Sequence, residues 1–209
     1  LQFLLIYILI NMLLNLKIKN EIKIWHYSKS SPLLPITEKE LKWKESISYK
    51  NFYNYHHSRG YIRYSLGKLF NIPPLDIPLK SNPRQAPKLG SKYGYLSLSH
   101  SSDSIIIGWA PRPIGIDFEH QRRKFSAKKF HDRFFFQSEK ELLALSKNSF
   151  QKNVLQFWII KEAAFKWQIK KDHSDLLNWE WKKSKNYAIN KKKFLEVNTH
   201  LVNYDSYFI

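Results

Sequence analysis

The hydrophobic and polar positions alternate over residues 16–27, where Ile22 and Ile24 flank Lys23, and this predicts a strand. Thr37 followed three positions on by Glu40 is a capping-box pattern and predicts a short helix running to Trp43. Ile62, Leu66, Leu69 and Phe70 recur at helical spacing, with Arg59 and Arg63 stacked on a neighbouring stripe, so a longer helix is expected there with Ser58 as its cap. Five of the nine prolines lie between Pro73 and Pro87, which makes that stretch an irregular connection. Three short strands follow, over 93–99, 105–110 and 114–119, separated by breaks short enough for hairpins. Helices are expected over 126–136 and 138–146, the second opened by Ser138 with Glu141, and a long one over 150–168. From Trp179 onward alternation returns and predicts a hairpin or meander.

This mixture predicts an α+β protein. Its 209 residues suffice for one sizeable core or two small half-domains. With 43% hydrophobic and 16% aromatic residues the chain is expected to pack, not to stay disordered. The absence of cysteine excludes disulfides, thiolate metal sites and a cysteine nucleophile, and agrees with a reducing, cytoplasmic setting. The formal net charge of +18 attracts anions, which leaves nucleic acid, an anionic membrane, a polyphosphate ligand and an acidic protein open as partners. The apolar run Leu1–Leu16 is broken by Gln2, Asn11 and Asn15 and is short for a membrane span. Residues 1–15 read as an apolar N-terminal extension, and because the only methionine is Met12, translation is expected to start there with residues 1–11 as an overrun; a weak membrane or partner anchor is the alternative. The expected division is 16–112 for an N-terminal half and 113–209 for a C-terminal half.

Two short stretches carry candidate chemistry. In Gly115-Ile116-Asp117-Phe118-Glu119, the two acids at i and i+2 of a strand point to one face. In Trp158-Ile159-Ile160-Lys161-Glu162-Ala163-Ala164-Phe165-Lys166, Glu162 falls on the apolar stripe of the predicted helix, four residues before Lys166. Taken alone, the first is an ordinary strand end with solvated acids, and the second an ordinary helical ion pair. Together, three carboxylates with Lys161 and Lys166 beside them suit a hard cation holding a polyphosphate, because Mg²⁺ favours oxygen donors.

The two stretches, in this order and 45 positions apart from Asp117 to Glu162, resemble the signatures of the 4′-phosphopantetheinyl transferase superfamily, in its larger, monomeric type. The resemblance covers roughly residues 55–170 well. It implies two similar half-domains with the active site in the cleft between them, and Asp117, Glu119 and Glu162 as ligands of Mg²⁺, or Mn²⁺ in its place. It further implies transfer of phosphopantetheine from coenzyme A to a serine of an acyl or peptidyl carrier protein, releasing adenosine 3′,5′-bisphosphate. Glu162, Lys166 and Lys161 would serve the reaction, Glu162 as general base and the two lysines on phosphate oxygens.

Leu98-Ser99-His100-Ser101 resembles the family's Ser-His-Ser element, with Ser97 where Asn is usual, so Ser99 and His100 are expected at coenzyme A. Arg59 in Arg59-Gly60-Tyr61-Ile62-Arg63 matches the arginine expected at its 3′-phosphate. Gln85-Ala86-Pro87 stands where the family has Gly-Lys-Pro, so Ala86 replaces the usual lysine, and the chain stops at Tyr207-Phe208-Ile209 where relatives carry a further strand. Arg122, Arg123, Lys124, Lys128, Lys129 and Arg133 form a candidate docking face for an acidic carrier, against the ordinary alternative of a solvated basic face. The rival readings are a basic nucleic-acid-binding protein, for which no binding motif is present, and a family member that binds its ligands without turnover.

Overall fold

The computed structural model describes residues 21–80, 82–145, 149–169 and 172–209; the reading of residues 1–15 and Met12 lies outside them. The chain divides into two compact units. One holds the described residues up to Leu98 together with Ser102–Ile114, and the other holds Ser99–Ser101 and Gly115–Ile209. Helices and strands both build the molecule, as the α+β expectation has it.

In the first unit, β1 (Lys23–Ser28) is followed by a short helix α1 (Glu38–Leu41) and by the 22-residue helix α2 (Tyr49–Phe70). A two-residue ribbon comes next, β2 (Leu79–Lys80) with β3 (Lys88–Leu89), and then β4 (Tyr95–His100), whose last two residues are counted with the other unit, and β5 (Ser104–Ala110). The main sheet has the order β1-β5-β4, with Lys23 opposite Trp109 and Ser28 opposite Ser104 in its antiparallel β1–β5 pair. Tyr61, Ile62 and Leu66 of α2 pack with Ile105 and Ile107 of β5 and with Tyr27 of β1.

The helix α2 begins at Tyr49, nine residues before the expected cap. Its first turns have their own apolar anchor, in which Phe52 and Tyr55 pack on Ile36 beside Trp43 and Ile47. Ser58 caps nothing. It lies mid-helix, and its hydroxyl donates back to the Tyr55 carbonyl at 2.9 Å. Thr37 and Glu40 form the capping box expected of them.

Glu40 does more than cap. Both of its oxygens accept from Arg63, at 2.9 and 3.0 Å, and Arg63 Nη1 also donates to the carbonyl of Ile77 at 2.9 Å. This fork joins α1, α2 and the proline-rich connection in one buried network. Burial alone would push the Glu40 carboxyl up, but Arg63 and the Thr37 contacts hold it below its ordinary value.

In the second unit, β6 (Glu119–His120) leads into the helices α3 (Ala127–Phe134), α4 (Gln137–Ala144) and α5 (Phe150–Trp167). The strands β7 (Trp179–Lys182), β8 (Tyr187–Asn190) and β9 (Leu195–Asn198) then form the expected meander, with Trp179 opposite Asn190 and Tyr187 opposite Asn198. Val154, Phe157, Ile160 and Ala164 of α5 pack with Trp179, Trp181 and Ala188 of the meander and with Phe135 and Leu143. The chain closes with β10 (Asn203–Tyr204) and β11 (Tyr207–Phe208), in a sheet of order β10-β11-β6. The last strand is therefore short and present, and it is the strand that pairs with Glu119.

Two expectations change here. Of the predicted strand 114–119 only Glu119 is laddered, with His120 after it, because a helix backbone, not another strand, lies against Gly115. The helix at 137 is opened by Glu139, which accepts from the Phe136 N–H at 2.9 Å, while the Ser138 hydroxyl binds Glu180 instead of capping with Glu141.

The Arg63–Glu40 network generates a stability prediction. Arg63→Ala leaves a buried carboxylate and three carbonyls to find new partners, and is expected to cost about 3–5 kcal/mol by urea denaturation. A loss close to that of an exposed helical arginine would contradict the network's role.

Candidate active site in the second unit

Gly115 has no room for a side chain. A Cβ there would meet the Ala163 carbonyl oxygen at 1.9 Å and the Trp167 nitrogen at 2.4 Å. The strand-like segment and α5 are thus in backbone contact, which only glycine permits. That contact sets the distance from Asp117 to the far end of α5.

Asp117 is buried, and Lys166 Nζ reaches its Oδ1 at 2.6 Å. The Ser99 hydroxyl donates to the same oxygen at 2.5 Å, and Lys166 also donates to Ser99 Oγ at 3.0 Å. Ser99, Asp117 and Lys166 therefore form a closed triangle. The Asp117 carboxylate, taken out of water, is compensated by one ammonium and one hydroxyl.

Glu119 lies beside this triangle and is tied to Arg123. Its carboxyl is pushed up to about 7, chiefly by burial, with Arg123 and Lys166 opposing and the charges of Asp117 and Glu162 adding to the rise. The electrostatic neighbourhood of Glu119 thus contains all three expected carboxylates and Lys166. Among the described residues, however, no group of three or more His, Asp or Glu stands gathered tightly enough to hold an ion as it is. Asp117 carries the Lys166 ammonium and Glu119 the Arg123 guanidinium. The donor set is all oxygen, which suits Mg²⁺ in kind, and burial is the chief cause of the raised Glu119 carboxyl, with the Asp117 and Glu162 charges beside it.

Lys161 is placed elsewhere. In place of the expected phosphate contact it has an interior partner, Glu139, at 2.7 Å, and its side chain has no exposure. Its ammonium also lies over the Phe135 and Phe136 rings at 5.2 and 5.0 Å. Burial pulls its pKa down and Glu139 resists. Glu139 in turn accepts the Trp181 N–H at 2.8 Å, so the pair joins α4, α5 and β7. Consecutive helical residues point about 100° apart, so Lys161 faces the core while Glu162 is half-buried beside the acids.

His100 is exposed at the end of β4. In the first unit, Arg59 is almost wholly buried on α2, with its guanidinium 4.7 Å from the Tyr55 ring centroid and Nη1 donating to Ser58 Oγ at 3.1 Å. Nη2 reaches the Gln85 carbonyl at 3.5 Å, so the stretch around Ala86 meets the arginine through its backbone. Burial lowers the pKa of Arg59, with Tyr55 and Glu40 countering. Of the basic run, Arg122, Lys124, Lys128, Lys129 and Arg133 are exposed, whereas Arg123 is engaged by Glu119. The role of Arg123 as a partner of Glu119 was not legible as such. The i, i+4 spacing was visible, but no helix spans those residues to give it meaning.

Residues 113–204 match the family model described as the 4′-phosphopantetheinyl transferase superfamily. The match covers Asp117, Glu119, Glu162 and Lys166. No curated protein matches the chain. No helix of the described residues is long and apolar enough to cross a membrane.

The raised carboxyl of Glu119 generates a pH prediction. A folded-state pKa above the ordinary value means that the folded protein holds this proton more tightly than the unfolded chain, so the group's contribution to stability falls as pH rises from about 4.5 to about 7. Glu119→Gln removes that penalty. The variant's Tm in metal-free buffer is expected to gain on the wild type as pH is raised from about 5 to about 8. A Tm difference independent of pH would place the shift elsewhere.

Proposed function

We propose that this chain, carrying a 4′-phosphopantetheinyl transferase superfamily domain at residues 113–204, transfers 4′-phosphopantetheine from coenzyme A to a serine of an acidic acyl or peptidyl carrier protein. The observation that carries this reading is the Ser99–Asp117–Lys166 triangle beside Glu119 and Glu162. A lysine held by a buried carboxylate and a serine is a positioned cation that an incoming phosphate can take over.

The reaction forms a bond from the carrier serine oxygen to the β-phosphorus and breaks the bond from that phosphorus to the oxygen shared with the α-phosphate. Adenosine 3′,5′-bisphosphate leaves with that oxygen. Charge grows on the non-bridging and leaving oxygens, where Lys166 offsets it. Glu162 takes the proton of the serine hydroxyl. With Lys161 enclosed in the core, Lys166 is the lysine of the α5 pair left for this work. Ser99 fixes the ammonium's resting position, and a phosphate oxygen replaces Asp117 as its partner.

Asp117, Glu119 and Glu162 would hold a divalent cation. Bound there, Mg²⁺ supplies neutralising charge to a pyrophosphate that three carboxylates otherwise repel. Arg59 and His100 would bind the phosphates of coenzyme A, Arg59 through its guanidinium fork. The exposed cations of α3 and the preceding segment would steer an acidic carrier.

Intact-mass analysis of an apo carrier protein incubated with coenzyme A and Mg²⁺ tests the reading directly, by the gain of one phosphopantetheine group. Chelation is expected to abolish the gain and Mg²⁺ or Mn²⁺ to restore it; full transfer in excess chelator would remove the metal from the scheme. Lys166→Ala and Glu162→Gln are each expected to lower turnover on the order of 10²-fold or more with folding retained. Turnover near the wild-type value in either variant would take that side chain out of the chemistry.

A docking prediction stands apart from the chemistry. Lys129→Glu with Arg133→Glu is expected to slow carrier modification at low salt and leave coenzyme A affinity unchanged. The defect should shrink as ionic strength rises. An unchanged rate at low salt moves the docking face to another part of the protein.

A further inference from the structure

The segment after Glu119 returns a cation to it. Gln121 N–H donates to the Ser206 carbonyl at 2.7 Å and Arg123 N–H to the His120 carbonyl at 2.8 Å. The Arg122 N–H donates to His120 Nδ1 at 3.0 Å, and Gln151 Nε2 of α5 donates to the Arg123 carbonyl at 2.9 Å. This fixed turn brings the Arg123 guanidinium back onto the carboxylate four residues before it. The same guanidinium lies 5.9 Å from the Phe125 ring centroid and 6.0 Å from that of Phe130. Arg123 therefore has two seats, an anionic one on Glu119 and an aromatic one that does not depend on Glu119.

Access separates this pair from the architectural ones. The side chains of Arg123 and Glu119 keep 34% and 17% of their exposure, whereas Lys161 and Glu139 are enclosed. A pair that water can reach comes apart at small cost, because both members are rehydrated. Asp117 holds Lys166 in a similarly open pair. Two of the three acids proposed as metal ligands thus carry a cation from their own chain, and the one on Glu119 comes from outside both signature stretches.

We propose that Arg123 is a resident counter-ion, which occupies Glu119 until a divalent cation displaces it and so sets how tightly the site takes that ion. The proposal rests on the reading of Asp117, Glu119 and Glu162 as metal ligands. The exchange is a substitution of partners: Glu119 gives up the guanidinium and receives the ion, and the guanidinium stays over Phe125 and Phe130. A ligand that binds only the form with Glu119 unpaired has its apparent Kd raised by the rarity of that form. Removing the guanidinium removes that penalty. A purely architectural Arg123 predicts the opposite sign, because its loss would free the turn, misplace Glu119 and weaken metal binding.

The test is titration of the full chain with Mn²⁺ in the absence of coenzyme A, with the free ion counted by electron paramagnetic resonance. The buffer is held at about pH 8, above the Glu119 carboxyl's raised value of about 7. Arg123→Gln is expected to bind Mn²⁺ roughly threefold or more tightly than the wild type. Arg122→Gln removes the same charge from an exposed neighbour that leaves Glu119 untouched, and is expected to stay within about twofold of the wild type. Thermal unfolding gives a second readout. At one Mn²⁺ concentration, the Tm of Arg123→Gln is expected to rise more over its metal-free value than that of the wild type.

Equal or weaker binding by Arg123→Gln, or equal tightening by Arg122→Gln, would overturn the proposal. If wild-type binding is lost in Asp117→Asn, the metal reading survives that outcome. Wild-type binding that Asp117→Asn leaves unchanged, or no binding by either the wild type or Arg123→Gln, would overturn the proposal and the metal reading together.

Discussion

The backbone contact between Gly115 and α5 is the constraint on which the site depends. A side chain at 115 would have to occupy the space of the Ala163 carbonyl. With hydrogen alone there, the helix approaches until Lys166, near its C-terminal end, reaches Asp117 two residues beyond the glycine. The two signature stretches are therefore one packing unit. Gly115 and Ala163 supply the close approach, and Asp117 and Lys166 use it.

Three carboxylate–cation pairs in the molecule look alike on paper and differ in access. Glu40–Arg63 and Glu139–Lys161 are closed to solvent and tie secondary elements together. Asp117–Lys166 is not fully closed, since the lysine side chain keeps 23% of its exposure. A buried pair without an exchange partner is architecture, because separating its charges in the interior is costly. A pair with one exposed member can give up that member to a ligand. This separates Lys166 from Lys161, although both belong to the same signature.

Glu119 is positioned by the end of the chain. β6 is only two residues long, and Phe208 is its partner across from Glu119. Phe208 is buried with Leu155 and Ile159 of α5. The helix that carries Glu162 and Lys166 thus also seats the strand that holds Glu119. The raised carboxyl of Glu119 follows from this shared seating chiefly through burial, with Arg123 and Lys166 opposing the charges of Asp117 and Glu162.

The sequence by itself determined what local periodicity and local chemistry encode. The course of α5, the β4–β5 strands, the meander from Trp179 and the Thr37–Glu40 capping box were legible because each rests on neighbours within a few residues. So were the two signature stretches and the residues within them that carry charge. Features that depend on distant partners were decided only by the tertiary structure. The start of α2 depends on Ile36 and Trp43, the loss of a ladder over 114–118 on the α5 backbone, and the diversion of Ser138 from capping α4 on Glu180. The assignment of Lys161 to the core and Lys166 to Asp117 depends on which face of one helix meets Glu139 and which meets the segment after Gly115. Spacing along the chain cannot encode that choice, because it is made by packing between elements far apart in sequence.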